Sequence, residues 1–421
     1  MMMDSKTFPF RLTAKDVKYE LVNLKQLVFE VTDACNLRCQ YCVFGEMYSG
    51  FDLRKSQFLP FKEARSVIDY LAELWNNNPN AASQSPLGVS FYGGEPLMNV
   101  TLIQQVVGYI RSLRIPKEIS FSLTSNCVLL DRYMDFLVEN DFFLLVSLDG
   151  DRQSDAYRVF HDGSPSFDRV FSNIKQLQSR YPDYFARNVQ FNAVLHNRND
   201  VPGILSFFKR EFEKVPVVSE LSTVGIREDQ KAAFKKAFKS VQEDIDNAGN
   251  QEELRKEMKY DVPDTSELMY FFSTALGNVF DSYSDLLSPE TDTPRMPTGT
   301  CVPFSRKLFV KVDGKILPCE RIPHQFSAGT VEGERVNLDL QAVADQFNTY
   351  LDRIKPSCRE CASMNHCKKC IYTIDGIETE KCDCDSFMDQ SRAKWLEDYY
   401  KGYLFRHPTL YREFMEDVMT N

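Results

Sequence analysis

No stretch of this 421-residue chain approaches the run of about 18 apolar residues that a membrane-crossing helix needs. Met1 to Phe10 is short and mixed, with no apolar core of a secretory signal. Cysteine, at 12 residues, is too sparse for a disulfide framework. With no export route, the thiols are expected to meet a reducing cytosol and stay available as metal ligands. A cytoplasmic location and no membrane partner follow as expectations. A basic balance is also missing, since 50 Lys and Arg face 60 Asp and Glu, a formal charge of −10. That argues against a nucleic-acid partner, whose phosphates need a basic face. What is present, 43% apolar residues with frequent Phe and Tyr, suits a packed globular protein. The length suggests two or three units, although one barrel absorbs about 200 to 250 residues.

Three of the cysteines fall within eight residues, Cys35-Asn36-Leu37-Arg38-Cys39-Gln40-Tyr41-Cys42, directly after the apolar run Leu27–Thr32. A four-iron cubane has four corners, and three thiolates from one loop fill three of them. The fourth iron stays open, whereas a structural metal site closes its shell. The spacing C-x3-C-x2-C also differs from the C-x2-C pairs that hold zinc. A zinc knuckle or three incidental core cysteines are the bland alternatives.

From residue 27 to about 225 strand and helix patterns alternate. Strands are expected at Gln26–Thr32, Gly88–Tyr92, Ile119–Thr124, Phe142–Leu148, Val189–Leu195 and Ser219–Val224. Helical stretches lie between them at Phe61–Trp75, Leu102–Leu113, Tyr133–Glu139, Phe167–Ser179 and Val201–Glu213. Such alternation implies an α/β fold on a parallel sheet, open or curled into a partial (β/α)6 TIM-like barrel. Sites in these folds gather at the carboxyl ends of the strands. Cys35, Gly93, Asn126 and Asp149 each follow a strand by a few residues, so all four fall on one rim.

The expected organisation is a 1–26 extension, the 27–225 barrel, a charged helical bridge at 226–300, a cysteine-rich unit at 301–384, and C-terminal helices at 385–421. Ser288–Thr300 is rich in Pro and Thr. Leu308–Val312 and Lys315–Leu317 flank Asp313-Gly314, which reads as a two-residue hairpin turn. The aromatics of Phe387–Val418 are expected to pack back on the body.

On the rim, the glycines of Gly93-Gly94-Glu95-Pro96 allow close backbone approach, and Glu95 can accept hydrogen bonds from an ammonium group. Ser125 and Asn126 end the third strand, where polar side chains can bond ribose hydroxyls. Ser147-Leu148-Asp149-Gly150 ends the fourth and is followed by Arg158, which reads as either a carboxylate clamp or a surface ion pair. Backbone amides near Leu195 can meet an adenine edge. Cys127 reads as a small packed residue.

The cysteine loop, with Tyr41 before the third thiol, resembles the cluster loop of the radical S-adenosylmethionine (SAM) superfamily, and Gly93–Pro96 matches its GGEP motif. The resemblance implies that the open iron chelates SAM and that reductive cleavage gives a 5′-deoxyadenosyl radical. It also implies that GGEP receives the amino group and that Arg158 clamps the methionine carboxylate. Ser147–Gly150 with Arg158 is similar to a segment of the peptide-modifying members.

Cys301, Cys319, Cys358, Cys361, Cys367, Cys370, Cys382 and Cys384 form a second field. Their layout resembles the SPASM domain, although the tetrad ends in x2 rather than x3 and two late cysteines compete for one family position. Zinc is the competing reading, yet zinc ribbons separate their pairs by about 15 to 20 residues, where this chain allows five. The resemblance implies an outer cluster on Cys358, Cys361, Cys367 and either Cys382 or Cys384. An inner one would sit on Cys301, Cys319 and Cys370, giving three 4Fe–4S clusters with the SAM-binding one. Glu320, next to Cys319, stands where sulfatase-maturating enzymes carry a basic aspartate, and reads as either a general base or a solvated acid.

The function this implies is maturation of a ribosomal precursor peptide by a thioether or carbon–carbon cross-link, with a flavodoxin- or ferredoxin-type reductant. A sulfatase maturase forming formylglycine is the second reading, and a metal-bound scaffold without catalysis the third. Only 34 residues precede Cys35, too few for a leader-binding domain of roughly 80 residues, so leader capture is expected to fall to 226–300 or another protein.

Overall fold

A computed structural model describes residues 11–49, 54–223, 225–258, 262, 267–268, 271, 301–364, 367, 369–379, 381–406, 408–409 and 412. These divide into two units. One comprises Ala14–Glu257 with Val302–Val343, and the other Met1–Thr13, Met258–Cys301 and Ala344–Asn421.

The first unit is built on ten strands in the order β10-β9-β8-β7-β1-β2-β3-β4-β5-β6. Six of them, β1 (Gln26–Thr32), β2 (Leu87–Gly93), β3 (Ile119–Ser125), β4 (Phe143–Ser147), β5 (Val189–Val194) and β6 (Val217–Ser219), pair in parallel in sequence order. Their near-continuous apolar character follows from burial on both faces, as in β1, where six of seven residues are buried. The helix Phe61–Asn76 covers the sheet with Ala64, Val67, Ile68, Leu71 and Trp75, a stripe at helical spacing. Under the helix Val201–Phe212, Phe191, Phe208 and Phe212 stack at centroid distances of 4.8 to 6.0 Å.

Beyond β1 the sheet continues through β7 (Lys307–Val310), which pairs in parallel with β1 from Gln26↔Lys307 to Phe29↔Val310. The antiparallel strands β8 (Lys315–Leu317), β9 (Gly329–Glu332) and β10 (Arg335–Asn337) complete it. Residues 302–343 thus belong to the sheet unit, although the sequence groups them with the later cysteines.

Two local expectations are corrected. The strand expected at Ser219–Val224 lies earlier, at Val217–Ser219, because Glu220 turns aside to accept the Val241 N–H at 2.7 Å; Val224 lies outside the described residues. The hairpin turn is wider than Asp313-Gly314. Lys311 N–H bonds the Lys315 carbonyl at 2.9 Å, leaving Val312 in the loop with Gly314 at φ +81°. Val312 N–H instead donates to Glu30 at 3.0 Å, which satisfies that buried carboxylate.

Short helices at Lys231–Ala237, Val241–Asp246 and Gln251–Met258 occupy part of the expected bridge, and Ser288–Thr300 lies outside the described residues. In the second unit, Asn348 exchanges hydrogen bonds with the backbone of Leu12 at 2.8 and 2.9 Å. The C-terminal helix Gln390–Arg406 buries Tyr400 beside Leu268 and Phe271. Tyr403 packs against the same cluster, whereas Trp395, 61% exposed, and Phe405, 90% exposed, do not pack as expected.

Candidate active site

The loop that leaves β1 is fastened on both sides by its backbone. Arg38 and Gln40 N–H donate to the Val159 and Tyr157 carbonyls at 2.8 and 3.1 Å, and Leu37 bridges Phe160. On the other side, Gly94 and Glu95 N–H donate to the Thr32 and Ala34 carbonyls, both at 2.9 Å. That approach requires the two glycines. A Cβ on Gly93 would stand 2.1 Å from the Thr32 oxygen, and one on Gly94 2.0 Å from the Ala34 oxygen.

Cys35, Cys39 and Cys42 lie within electrostatic reach of one another. Burial pushes the Cys39 thiol up to about 12, against the opposing pull of Arg158. A thiolate there therefore needs a bound cation, and metal binding and deprotonation are coupled. Arg54 Nη2 lies 3.5 Å from the Cys42 sulfur, and its guanidinium carbon sits 4.8 Å from the centre of the Phe44 ring. Leu37 N–H and Asn126 Nδ2 approach the Cys35 sulfur at 3.5 and 3.8 Å, and His161 Nε2 meets the Cys35 carbonyl at 2.8 Å.

The GGEP acid is placed differently from the expectation that it receives an ammonium group. Glu95 is 1% exposed. Its oxygens accept from Leu97 N–H at 3.0 Å, Ser125 Oγ at 2.8 Å and Asn126 N–H at 2.8 Å. Burial raises its pKa to about 7, against the pull of those donors. Glu95 thus ties the GGEP turn to the end of β3. The same bond takes up the Ser125 hydroxyl expected to reach ribose. Pro96 opens a one-turn helix and is buried. Asn126 Nδ2 donates to Asn36 Oδ1 at 2.8 Å, so this residue does border the cysteine loop.

Arg158 is not a surface ion pair. It is 7% exposed and bonds Asp149 at 3.2 Å and Asp155 at 3.5 Å, with the Tyr41 ring 5.4 Å away. Asp149 is fully buried and also accepts from the Tyr41 hydroxyl and from Val194 N–H at 3.0 Å. Burial pushes the Asp149 carboxyl up, but Arg158, His196 and Tyr41 hold it below its ordinary value. Tyr41 therefore anchors the cysteine loop to the ends of β4 and β5. In this structure Asp149 and Asp155 pair with the guanidinium expected to clamp a carboxylate. Leu195 N–H is likewise taken by the Ser219 carbonyl at 2.8 Å, so it is not free for an adenine edge. Ser147 is half-buried and pairs with Asn192. Cys127 is buried, as a packed residue would be.

Glu320 bonds Lys307 Nζ at 2.6 Å and accepts from the Cys319 thiol at 3.4 Å. Burial pushes its pKa up, and Lys307 more than reverses this, so it falls below the ordinary value. It is held ionised by the Lys307 ammonium group. Tyr92, at the end of β2, feels both Cys42 and Glu320, so the acid faces the cysteine loop.

In the second unit, Cys358, Cys361, Cys367 and Cys384 line one open pocket with Ile354, Met364 and Phe387. Cys382 is not in its lining, and its thiol donates to the Arg353 carbonyl at 3.6 Å. Cys370 has Cys301 as an electrostatic neighbour. Among the described residues, no three His, Cys, Asp or Glu donors converge on a point suited to a single ion. Thiols spread around a cavity fit a multi-iron cluster better than zinc, whose ligands close tightly on one centre.

Sequence reading missed Arg54, Tyr48, His161, Asp155 and His196. Their positions carry no local motif, and only the fold brings them to the loop.

Residues 29–207 match the radical SAM superfamily model, and this stretch is a radical SAM domain. Among curated relatives, the cysteine-type anaerobic sulfatase-maturating enzyme of Clostridium novyi is 24% identical over 197 residues, 45% of this chain and 49% of that protein. The radical SAM cyclopropyl synthase TigE of Paramaledivibacter caminithermalis is 24% identical over 222 residues, 51% of this chain and 43% of that protein. The chain spans about half the length of the curated relatives it matches, or less. The solved structure of native anSMEcpe with bound AdoMet has a TM-score of 0.60 and 17% identity, covering 93% of this chain and 99% of that one. At that identity the likeness is one of fold. Among the described residues no helix is long and apolar enough to cross a membrane.

Proposed function

We propose that this chain is a SAM-cleaving maturase that oxidises a side chain of a peptide or protein substrate. The observation that carries the reading is the three-thiol loop, clamped between the GGEP turn and the Tyr157–His161 segment at the strand-end rim. Cys35, Cys39 and Cys42 would hold a 4Fe–4S cluster with one open iron, and Asn126 borders it. Bound there, cluster and SAM supply a 5′-deoxyadenosyl radical able to abstract a hydrogen atom. The chain's own residues fix the loop and place cations at Arg54 and Arg158. A second cluster is assigned to Cys358, Cys361, Cys367 and Cys384, which gives electrons from an oxidised substrate somewhere to go.

The bond formed is proposed to be a thioether or carbon–carbon cross-link in a precursor peptide. The likeness of this chain to a sulfatase-maturating enzyme keeps formylglycine as the second reading. A flavodoxin- or ferredoxin-type protein is the proposed reductant.

Anaerobic reconstitution with dithionite and SAM tests the reading. The wild type should release 5′-deoxyadenosine, and Cys35→Ala should release none. Fragmentation mass spectrometry then separates the products. A cross-link and formylglycine made from serine both remove a hydrogen pair, but only the aldehyde reacts with a hydrazine probe. Formylglycine made from cysteine also loses the sulfur. A protein that binds zinc and releases no nucleoside sinks the proposal.

A further inference from the structure

Tyr48 closes the turn that follows the third thiol. Its backbone is fixed by a bridge to Ile226, by Ser49 N–H on the Gly225 carbonyl at 2.6 Å, and by Arg227 N–H on the Met47 carbonyl at 3.1 Å. The side chain is 6% exposed, yet its hydroxyl has no hydrogen-bond partner among the described residues. A buried polar group left unmade costs about 1 to 3 kcal/mol. A phenylalanine would fill the same space without that cost. The thiol that the hydroxyl feels is Cys42. Asn36 repeats the pattern beside Cys35. Its Oδ1 accepts from Asn126, but its Nδ2 is buried and unpartnered. Two orphaned donors therefore flank two of the three thiols.

We infer that Tyr48 Oη, with Asn36 Nδ2 as its counterpart, donates a hydrogen bond to the iron–sulfur cluster held by Cys35, Cys39 and Cys42. The inference rests on the cluster assignment made above. Cluster sulfur is a natural acceptor, and donors to it stabilise the more negative, reduced state and raise the potential. Tyr48 is thus a positioning residue that sets how readily the cluster takes an electron from the external reductant. Arg54 adds a fixed cation on the same corner. Cys39 has only the more distant charge of Arg158.

The test is a potentiometric titration with dithionite, followed by electron paramagnetic resonance, on anaerobically reconstituted full-length chain. Tyr48→Phe should keep its full iron complement but titrate at a more negative midpoint than the wild type. Tyr48→Phe combined with Asn36→Ala should move it further. A second measurement needs no cluster. Iron-free Tyr48→Phe should be at least as stable to urea as the iron-free wild type, because only an unpaired hydroxyl is lost. An unchanged midpoint, or a destabilised iron-free variant, overturns the inference. A wild type that assembles no cubane on these thiols overturns the functional reading, and the inference with it.

Discussion

Around Cys35, Cys39 and Cys42 the loop is fastened to neighbouring strand ends, whereas of Cys358, Cys361, Cys367 and Cys384 only Cys358 sits on a helix. That helix is Leu340–Glu360, and the other three thiols follow it in loops. The first loop is bonded to the Tyr157–Phe160 segment and to the GGEP turn, and its tyrosine is locked by a buried carboxylate. In the second region, the described residues between Cys361 and Gln390 include the short turn Ile371–Thr373 and the bridge Asp375↔Asp383. Its cross-links are few, such as Ala362 N–H on Met388 O at 2.8 Å and Asp383 N–H on Asp375 O at 2.9 Å. Several amides there point at sulfur, with Lys369 and Met388 N–H each 3.4 Å from a cysteine Sγ. The difference lies in what holds each set of thiols: backbone hydrogen bonds to neighbouring segments in the first, and amides directed at sulfur in the second.

The sharpest way to break that comparison is at the late cysteine pair. Cys384→Ser should cost one cubane, about four irons per chain, and leave the second region open to protease. Cys382→Ser should keep both iron and protection, since its thiol faces Arg353 rather than the cavity. Iron analysis and limited proteolysis read both effects. Equal iron loss in the two variants would erase the distinction drawn between them.

Within the sheet unit, Asp149→Asn keeps shape but removes the charge facing Arg158. Breaking a buried ion pair on one side costs about 3 to 5 kcal/mol. Urea unfolding of the iron-free chain should show that loss. Iron loading at the first cluster should also fall, because Tyr41 loses its anchor. Arg158→Lys, which keeps a charge but not the guanidinium fork, should lose less. If these variants changed only SAM affinity and left stability alone, Arg158 would be acting on ligand and the anchoring account would fail.

Much of this was legible in the sequence, and the part that was not has a common cause. The run at Gln26–Thr32 and the helix from Phe61 follow local periodicity, so their bounds nearly coincide with those observed. The cysteine loop and GGEP are short motifs, visible without any fold. Register across distant segments was hidden. Nothing local announces that Lys307–Val310 lies beside β1, or that Val312 leaves the hairpin for Glu30. The pairings of Glu95 with Ser125 and Asn126, and of Arg158 with Asp149, were hidden too, because they depend on how separate strand ends meet.

Glu95 sharpens the comparison by the smallest but most specific effect. Its carboxyl is almost without exposure and carries three donors, and burial still raises it from 4.5 to about 7. The folded chain therefore binds a proton that the unfolded chain has released between those two values. Stability from this group is fullest below the ordinary value and is lost as pH rises through about 7, then stays flat. A shift of that size corresponds to roughly 3 kcal/mol at most. Urea midpoints of the iron-free chain, measured from acid to neutral pH, should fall across that window. Glu95→Gln should flatten the slope while weakening one of the three donor pairings. A wild type whose midpoint does not change there would mean that the donors from Leu97, Ser125 and Asn126 outweigh burial. The rim would then rest on a permanently ionised acid rather than a protonated one.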